Sequence, residues 1–332
     1  MRAEAGPKAG PLGGGTMDAH PLAHRKVSMT DIAHARAERL STEPWLDAGV
    51  RGRGLAGFAA SVSDLWRYRE LFGRLTKREL KARYKDSRLG FVWSLVRPLT
   101  MLFVYALVVG EFLGAARSIP NFGIYIFAGL AIYTLFSETV GAGTSAIITN
   151  SGLIKKVYLP REIFPLSTIG PALFTLAIQL VILIVASWAT GSLSLGWHLL
   201  YALLSIVLIV VLSAALALVL SATNVYLRDI SYLVDVVLVL MMWGSPILYS
   251  IAMVQDRLEA GAFSWLVPIY VNNPVTLAVL GFQEAFWQPG FSAQHVPQLW
   301  LHMLIATGIS AVLVVVAQRL FARLQGDFAQ EL

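Results

Sequence analysis

The side chains best placed to do chemistry lie in one stretch, Asn150–Pro165, which reads NSGLIKKVYLPREIFP. Lys155, Lys156, Arg161 and Glu162 supply charge, and Tyr158, Leu159 and Phe164 supply apolar surface. Pro160 and Pro165 stiffen the segment by fixing φ and ending the preceding turn. This is the chemistry of recognition. Apolar anchors flanked by charge suit a contact with a soluble partner, with register set by charge complementarity. Each of these residues also has a plainer use in topology or packing. The cations must stay in water or headgroups, so the stretch is a short loop between two spans.

Other chemistry is excluded by what is missing. The sequence holds no cysteine, so it has no disulfide, thiol nucleophile or thiolate metal site. No phosphate-cradling GxxxxGK[ST] loop occurs. The nearest Gly-rich stretch, from Gly141 to Ala146, lacks the lysine and falls inside an apolar run, where small residues permit close helix contact. No HExxH motif or metal-ligand cluster appears, and His20, His24, His34, His198, His295 and His302 are scattered. Three acids fall in apolar runs. Glu111 and Asp235 lie near span ends and can reach an interface. Glu138 lies well inside a span, where charge is expensive; it could line a hydrated pore or pair with a base such as Arg97.

The elements that position these groups follow from composition. The 332 residues are 56% hydrophobic and 14% charged, against about 25% charged in soluble domains. This is the balance of an all-α polytopic membrane protein. About 20 apolar residues cross a 30 Å hydrocarbon core. Six transmembrane helices are expected, at Arg97–Ala116, Phe122–Thr149, Phe164–Thr190, Trp197–Thr223, Ser231–Val254 and Pro297–Leu320. The net charge of +6 reflects bases beside spans and does not call for nucleic acid. Arg67, Arg69, Arg74, Lys77, Arg78, Lys81, Arg83, Lys85 and Arg88 precede the first span. Lys155, Lys156 and Arg161, then Arg228, then Arg319 and Arg323 follow on the same side, against Arg117 and Arg257 opposite. Both termini are therefore expected in the cytoplasm.

Three segments depart from plain spans. Residues 1–62 are expected to be a mobile cytoplasmic tail without a secretory signal, in which Met17 and Met29 are alternative starts. Ser63–Leu89 reads as an amphipathic interface helix, with Leu65, Tyr68, Phe72 and Leu75 at helical spacing among bases; those bases could instead simply fix orientation. Gln255–Gln294 is too broken for a span. Its apolar pieces Phe263–Val271 and Val275–Phe282 suggest re-entrant helices dipping in from the outer face between the fifth and sixth spans, or else an ordinary amphipathic loop. Gly244-Ser245-Pro246 should kink or break the fifth span. The six-span domain then covers 90–325.

These residues carry a family likeness. The run Leu75–Pro98, LTKRELKARYKDSRLGFVWSLVRP, resembles the N-terminal signature of ABC-2 type exporter permeases for cell-surface polysaccharides, among them O-antigen, galactan and teichoic-acid systems. Phe136-Ser-Glu138 with Asn150–Pro165, Asn224–Ile230 and Asn273-Pro274 resemble later signatures in the same order. The likeness runs from about Leu71 to Ala322. It implies a homodimer of six-span subunits in the bacterial inner (plasma) membrane, with two copies of a separate ABC ATP-binding subunit docked below. ATP and Mg would be bound by that partner, so this chain needs no cofactor and is not an enzyme. Lys155, Lys156, Tyr158, Leu159, Pro160, Arg161 and Glu162 would form the ATPase-coupling element. The helix bearing Lys81, Arg83, Tyr84, Lys85 and Arg88 would gate entry of lipid-linked polysaccharide, whose pyrophosphate head those bases could meet. Asn273 and Pro274 would belong to the outer gate.

A glycan slides most easily over flat aromatic faces. Trp93, Tyr105, Tyr133, Trp243 and Tyr249, with Glu138, are candidates for a channel lining, and each aromatic equally suits a lipid-facing or interfacial place. Two rivals stay open. One is an ABC-2 permease for another lipid or drug-like amphiphile. The other is a membrane enzyme acting on lipid-linked sugars, which would need an acid–base pair that Glu138 alone does not make.

Overall fold

A computed structural model describes residues 54–84, 92–112, 119–156, 159–193, 196–259, 264–287 and 296–332, together with Glu38, Ser41, Gly114, Arg117 and Gly261. Residues 1–48 form one unit and 49–332 another. In the first, the Ser41 hydroxyl donates to the Glu38 carbonyl at 2.8 Å. All that follows concerns the second.

Every regular element among the described residues is helical. Helix α1 (Gly54–Arg67) and α2 (Arg69–Tyr84) are joined through Tyr68, whose amide donates to Asp64 and whose carbonyl accepts from Phe72. The amphipathic helix thus begins at Gly54, nine residues before the expected Ser63. Then come α3 (Val92–Tyr105), which runs into a π-helical turn Ala106–Phe112, and α4 (Phe122–Thr149). Two short helices follow, α5 (Ser151–Ile154) and α6 (Ile163–Ser167), before α7 (Ile169–Ala189) and α8 (Leu199–Tyr226). The rest are α9 (Ile230–Trp243), α10 (Ile251–Glu259), α11 (Leu266–Val271), α12 (Pro274–Phe286), α13 (Leu299–Leu324) and, after a 3₁₀ turn, α14 (Phe328–Glu331).

Among the described residues, four helical stretches are long and apolar enough to cross a membrane: Phe122–Thr149, Ile163–Ala189, Leu199–Tyr226 and Leu299–Asp327. They overlap four of the six expected spans, three to within three residues at each end and the last running seven residues past its expected end. The other two are shorter, Pro98–Phe112 and Ile230–Trp243. Fourteen residues of α9 rise only about 21 Å at 1.5 Å each. Gly244-Ser245-Pro246 ends that helix: the amide of Gly244 closes on Leu240, and the Ser245 hydroxyl turns back to Met241 at 2.8 Å.

The bundle is organised around α4 and α8, the longest apolar helices. A Cβ on Gly143 would lie 2.6 Å from that of Ala217, so the small-residue stretch of α4 is where these backbones meet. Two cores stack along the bundle. The larger surrounds α12, every residue of which from Val275 to Phe286 is buried. Asn273 starts that helix by accepting from the Val275 amide at 2.9 Å, with Pro274 supplying the fixed φ of a first turn. The smaller core gathers Leu75, Ile147, Ile154, Phe164, Val225, Phe321 and Phe328 at the end holding the basic loops.

Candidate docking loop and gate helix

The Asn150–Pro165 segment is built as two short helical turns around a bend. Asn150 closes α4 by donating from its side chain to the Ala146 carbonyl at 2.8 Å, and its Oδ1 accepts from Arg78 of α2. Lys155 and Lys156 are exposed; Leu159 and Pro160 are half-buried. Ile163 and Phe164 are buried in the smaller core. Tyr158 lies outside the described residues. The apolar anchors therefore hold the loop to its own bundle, and the lysines carry its outward charge.

Arg161 and Glu162 turn inward, unlike the outward role their charges suggested. Arg161 donates to the Gln325 carbonyl, and its guanidinium sits 5.7 Å from the centre of the Phe328 ring. Glu162 is 5% exposed and accepts from Gln318 Nε2 at 2.9 Å. Burial raises the Glu162 carboxyl above its ordinary value. The Gln318 hydrogen bond and the Arg319 charge pull it back, and nearby Asp64 pushes it up.

Helix α2 lies against the same bundle. The Thr76 hydroxyl approaches the Ser167 carbonyl at 3.5 Å, and a Cβ on Gly170 would fall 2.5 Å from Thr76 Cγ2, so α2 and α7 touch closely. Lys81 is exposed. Arg83 reaches into the bundle: its Nη1 lies 3.3 Å from Glu138 Oε2 and donates to the Thr175 hydroxyl at 3.1 Å. Thr175 Oγ1 stands 3.2 Å from the same carboxylate oxygen. Burial raises Glu79 on this helix, opposed by Arg78 and Arg83. The side chain of Tyr84, and Lys85 and Arg88 altogether, lie outside the described residues.

Glu138 meets a base, Arg83 of α2; the side chain of Arg97, the base suggested for it, lies outside the described residues. Two cations five residues apart on α2 thus bind α4 at two levels, Asn150 at its end and Glu138 about three turns earlier.

The proposed lining aromatics do not converge. Tyr133 is 5% exposed and donates to the Leu238 carbonyl of α9. Its ring is packed among the residues of the larger core. Tyr249 donates to the Trp243 carbonyl at 2.6 Å and accepts from Tyr270 at 3.2 Å. Tyr105 is half-buried, while Trp93 and Trp243 are exposed on apolar helix faces. Asn273 and Pro274 open α12, half-buried.

Sequence reasoning missed Gln283. Its Nε2 donates to Pro246 O at 3.0 Å, and the Tyr125 hydroxyl approaches the carbonyls of Pro246 and Tyr249 at 3.0 and 2.9 Å. These two side chains satisfy carbonyls of the irregular backbone after α9, which lies inside the bundle. A glutamine beside a glutamate in a largely apolar helix was the available signal.

Long apolar helices, broken backbone satisfied from within, and a basic loop braced at one end define the class: a multi-pass helical membrane protein. The sequence profile of the ABC-2 type transporter matches residues 70–287, and the chain belongs to that family. It is 32% identical over 273 residues to the O-antigen export system permease protein RfbA of Myxococcus xanthus, covering 82% of this chain and 98% of that protein. A Klebsiella pneumoniae protein of the same name is 28% identical over 262 residues, covering 77% and 92%. The polysialic acid transport protein KpsM of Escherichia coli is 26% identical over 118 residues, covering 34% and 44%.

Proposed function

We propose that this chain is the permease subunit of an ATP-driven exporter that moves lipid-linked cell-surface polysaccharide from the cytoplasm to the outer face of a bacterial inner membrane. The observation that carries the reading is the docking loop: outward Lys155 and Lys156 on a segment whose apolar residues are anchored in its own bundle. Such a loop receives force from a soluble partner. The partner is a separate ABC ATP-binding subunit, in two copies, which binds ATP and Mg and performs hydrolysis.

The subunit acts as a homodimer with six spans and both termini in the cytoplasm. The short helices Pro98–Phe112 and Ile230–Trp243 complete the count, tilted or in thinned bilayer. Their exposed side chains, among them Phe103, Phe112, Leu233 and Leu240, then face lipid or the second copy. Helices α11 and α12 form the re-entrant outer gate, and α1–α2 lie at the cytoplasmic interface as the entrance gate. Lys81, Lys85 and Arg88 meet the anionic lipid head, while Arg83 ties the helix to Glu138. The substrate class is supported by the names of the relatives, all permease or transport components of polysaccharide systems.

The test is complementation in a strain lacking this chain but keeping its ATP-binding partner. The wild type restores surface glycan, and alanine at Arg83, Tyr84 and Lys85 reduces surface glycan more than assembly. Normal surface glycan in that variant would remove the gate assignment.

A further inference from the structure

The end of the last helix carries polar groups that crossing a membrane does not require. Gln318 is 3% exposed. Its Nε2 donates to Glu162 at 2.9 Å and to the Ser61 hydroxyl at 2.7 Å. One amide therefore joins the docking loop, α13 and α1. Two turns further on, Arg161 donates to the Gln325 carbonyl and caps the ring of Phe328. Phe328 is fully buried, edge-on to Phe321 at 5.6 Å and tilted against Tyr226 at 6.1 Å. The Tyr226 hydroxyl donates to the Leu324 carbonyl at 2.6 Å, which ties the end of α8 to the same place.

Consecutive residues of the loop, Arg161 and Glu162, are thus both fixed to the end of α13. Burying a carboxylate is costly, and a connection serving only to link two spans has no need of one. A buried amide with a donor bond to each side is a spacer between them: its bond to Glu162 is shielded from water, and its bond to Ser61 lies at the half-buried edge of α1.

We propose that Gln318 is a positioning residue for ATP-driven transport. It holds the docking loop from behind and passes the loop's displacement through Ser61 to α1, and so to the entrance helix α2. Gln318 touches neither nucleotide nor exported substrate; it acts through Glu162 and Ser61. The inference rests on the reading of Asn150–Pro165 as the ATPase dock.

The test uses the full chain with its cognate ATP-binding protein, purified together and placed in lipid nanodiscs, with export read in cells. Gln318→Leu stays assembled and hydrolyses ATP within about twofold of the wild type, while export falls about tenfold, a coupling in the range of contacting residues. Ser61→Ala removes one hydroxyl only and lowers export about threefold without moving the melting temperature. The exchange Glu162→Gln with Gln318→Glu again sets an amide against a carboxylate and restores most of the export lost in Gln318→Leu. Wild-type export in both Gln318→Leu and Ser61→Ala overturns the proposal, as does an exchange no better than Gln318→Leu. Should Gln318→Leu fail to insert, Ser61→Ala and the exchange decide. Lys155→Glu with Lys156→Glu is read in parallel. Retained ATPase assembly there sinks the docking reading itself, whereas lost assembly beside a wild-type-like Gln318→Leu sinks only the positioning role.

Discussion

Arg83 and Glu138 stand 3.3 Å apart across the junction between the amphipathic helix and the bundle, and Thr175 of a third helix touches both. The acid that looked isolated in the sequence is paired with a base of α2. Its partner was counted among bases facing headgroups. Both side chains remain partly accessible, 41% for Arg83 and 26% for Glu138, so the contact is closer to a surface pair than to a buried one.

That intermediate exposure sets the size of the effect. A double-mutant cycle with Arg83→Ala and Glu138→Ala, followed by thermal melting in detergent, should give a coupling of about 1 kcal/mol. Additive effects would mean that the pair does not hold the helix.

Tyr133→Phe should lower stability by about 1 kcal/mol, the worth of one hydrogen bond to the Leu238 carbonyl. Export by this variant should stay within about twofold of the wild type, since the ring is a packing group. A large loss of export with unchanged stability would return Tyr133 to the channel.

Gly143→Ala places a methyl group 2.6 Å from the Ala217 side chain at the closest contact of α4 and α8. Overpacking of this kind should cost about 1–3 kcal/mol, read as a lower melting temperature of the purified chain. Gly152→Ala meets nothing within 4 Å and is the matched control, with no loss expected.

The buried carboxyl of Glu162 gives a pH dependence of definite sign. Its folded value lies above the ordinary 4.5, so between the two the folded chain binds more protons than the unfolded one. Stability from this group is fully present below 4.5 and falls as pH rises through the folded value. The melting temperature of the wild type relative to Glu162→Gln should therefore increase as pH is lowered from 7 toward 4.5. A relative decrease would show that Glu162 is stabilised as the anion.

Much of this arrangement was legible in the sequence, and the limits have physical causes. Four spans stood out because uninterrupted apolar runs report burial directly, and Gly244-Ser245-Pro246 marked the end of α9 because its residues cannot continue a helix. Ion-pair partners were not legible. Arg83 and Glu138 are 55 residues apart, and only the docking of α2 on α4 and α7 brings them together. The direction of Arg161 and Glu162 was hidden for the same reason: a charged pair in a loop reads as outward until the helix behind it, with Gln318 and Phe328, is known. The hydrogen bond of Tyr133 was not legible because an aromatic ring with a hydroxyl suits a sugar path and a carbonyl of a neighbouring helix equally well.

The proposed function depends on a separate ATPase engaging this chain at Asn150–Pro165. The most direct measurement is co-purification of the chain with its ATP-binding partner into lipid nanodiscs, with ATP hydrolysis measured for the wild type and for Lys155→Glu with Lys156→Glu. A stable wild-type assembly with steady hydrolysis is expected and, for the charge reversal, normal membrane insertion with association or hydrolysis reduced about tenfold or more. Equal assembly and equal hydrolysis in the two would contradict it.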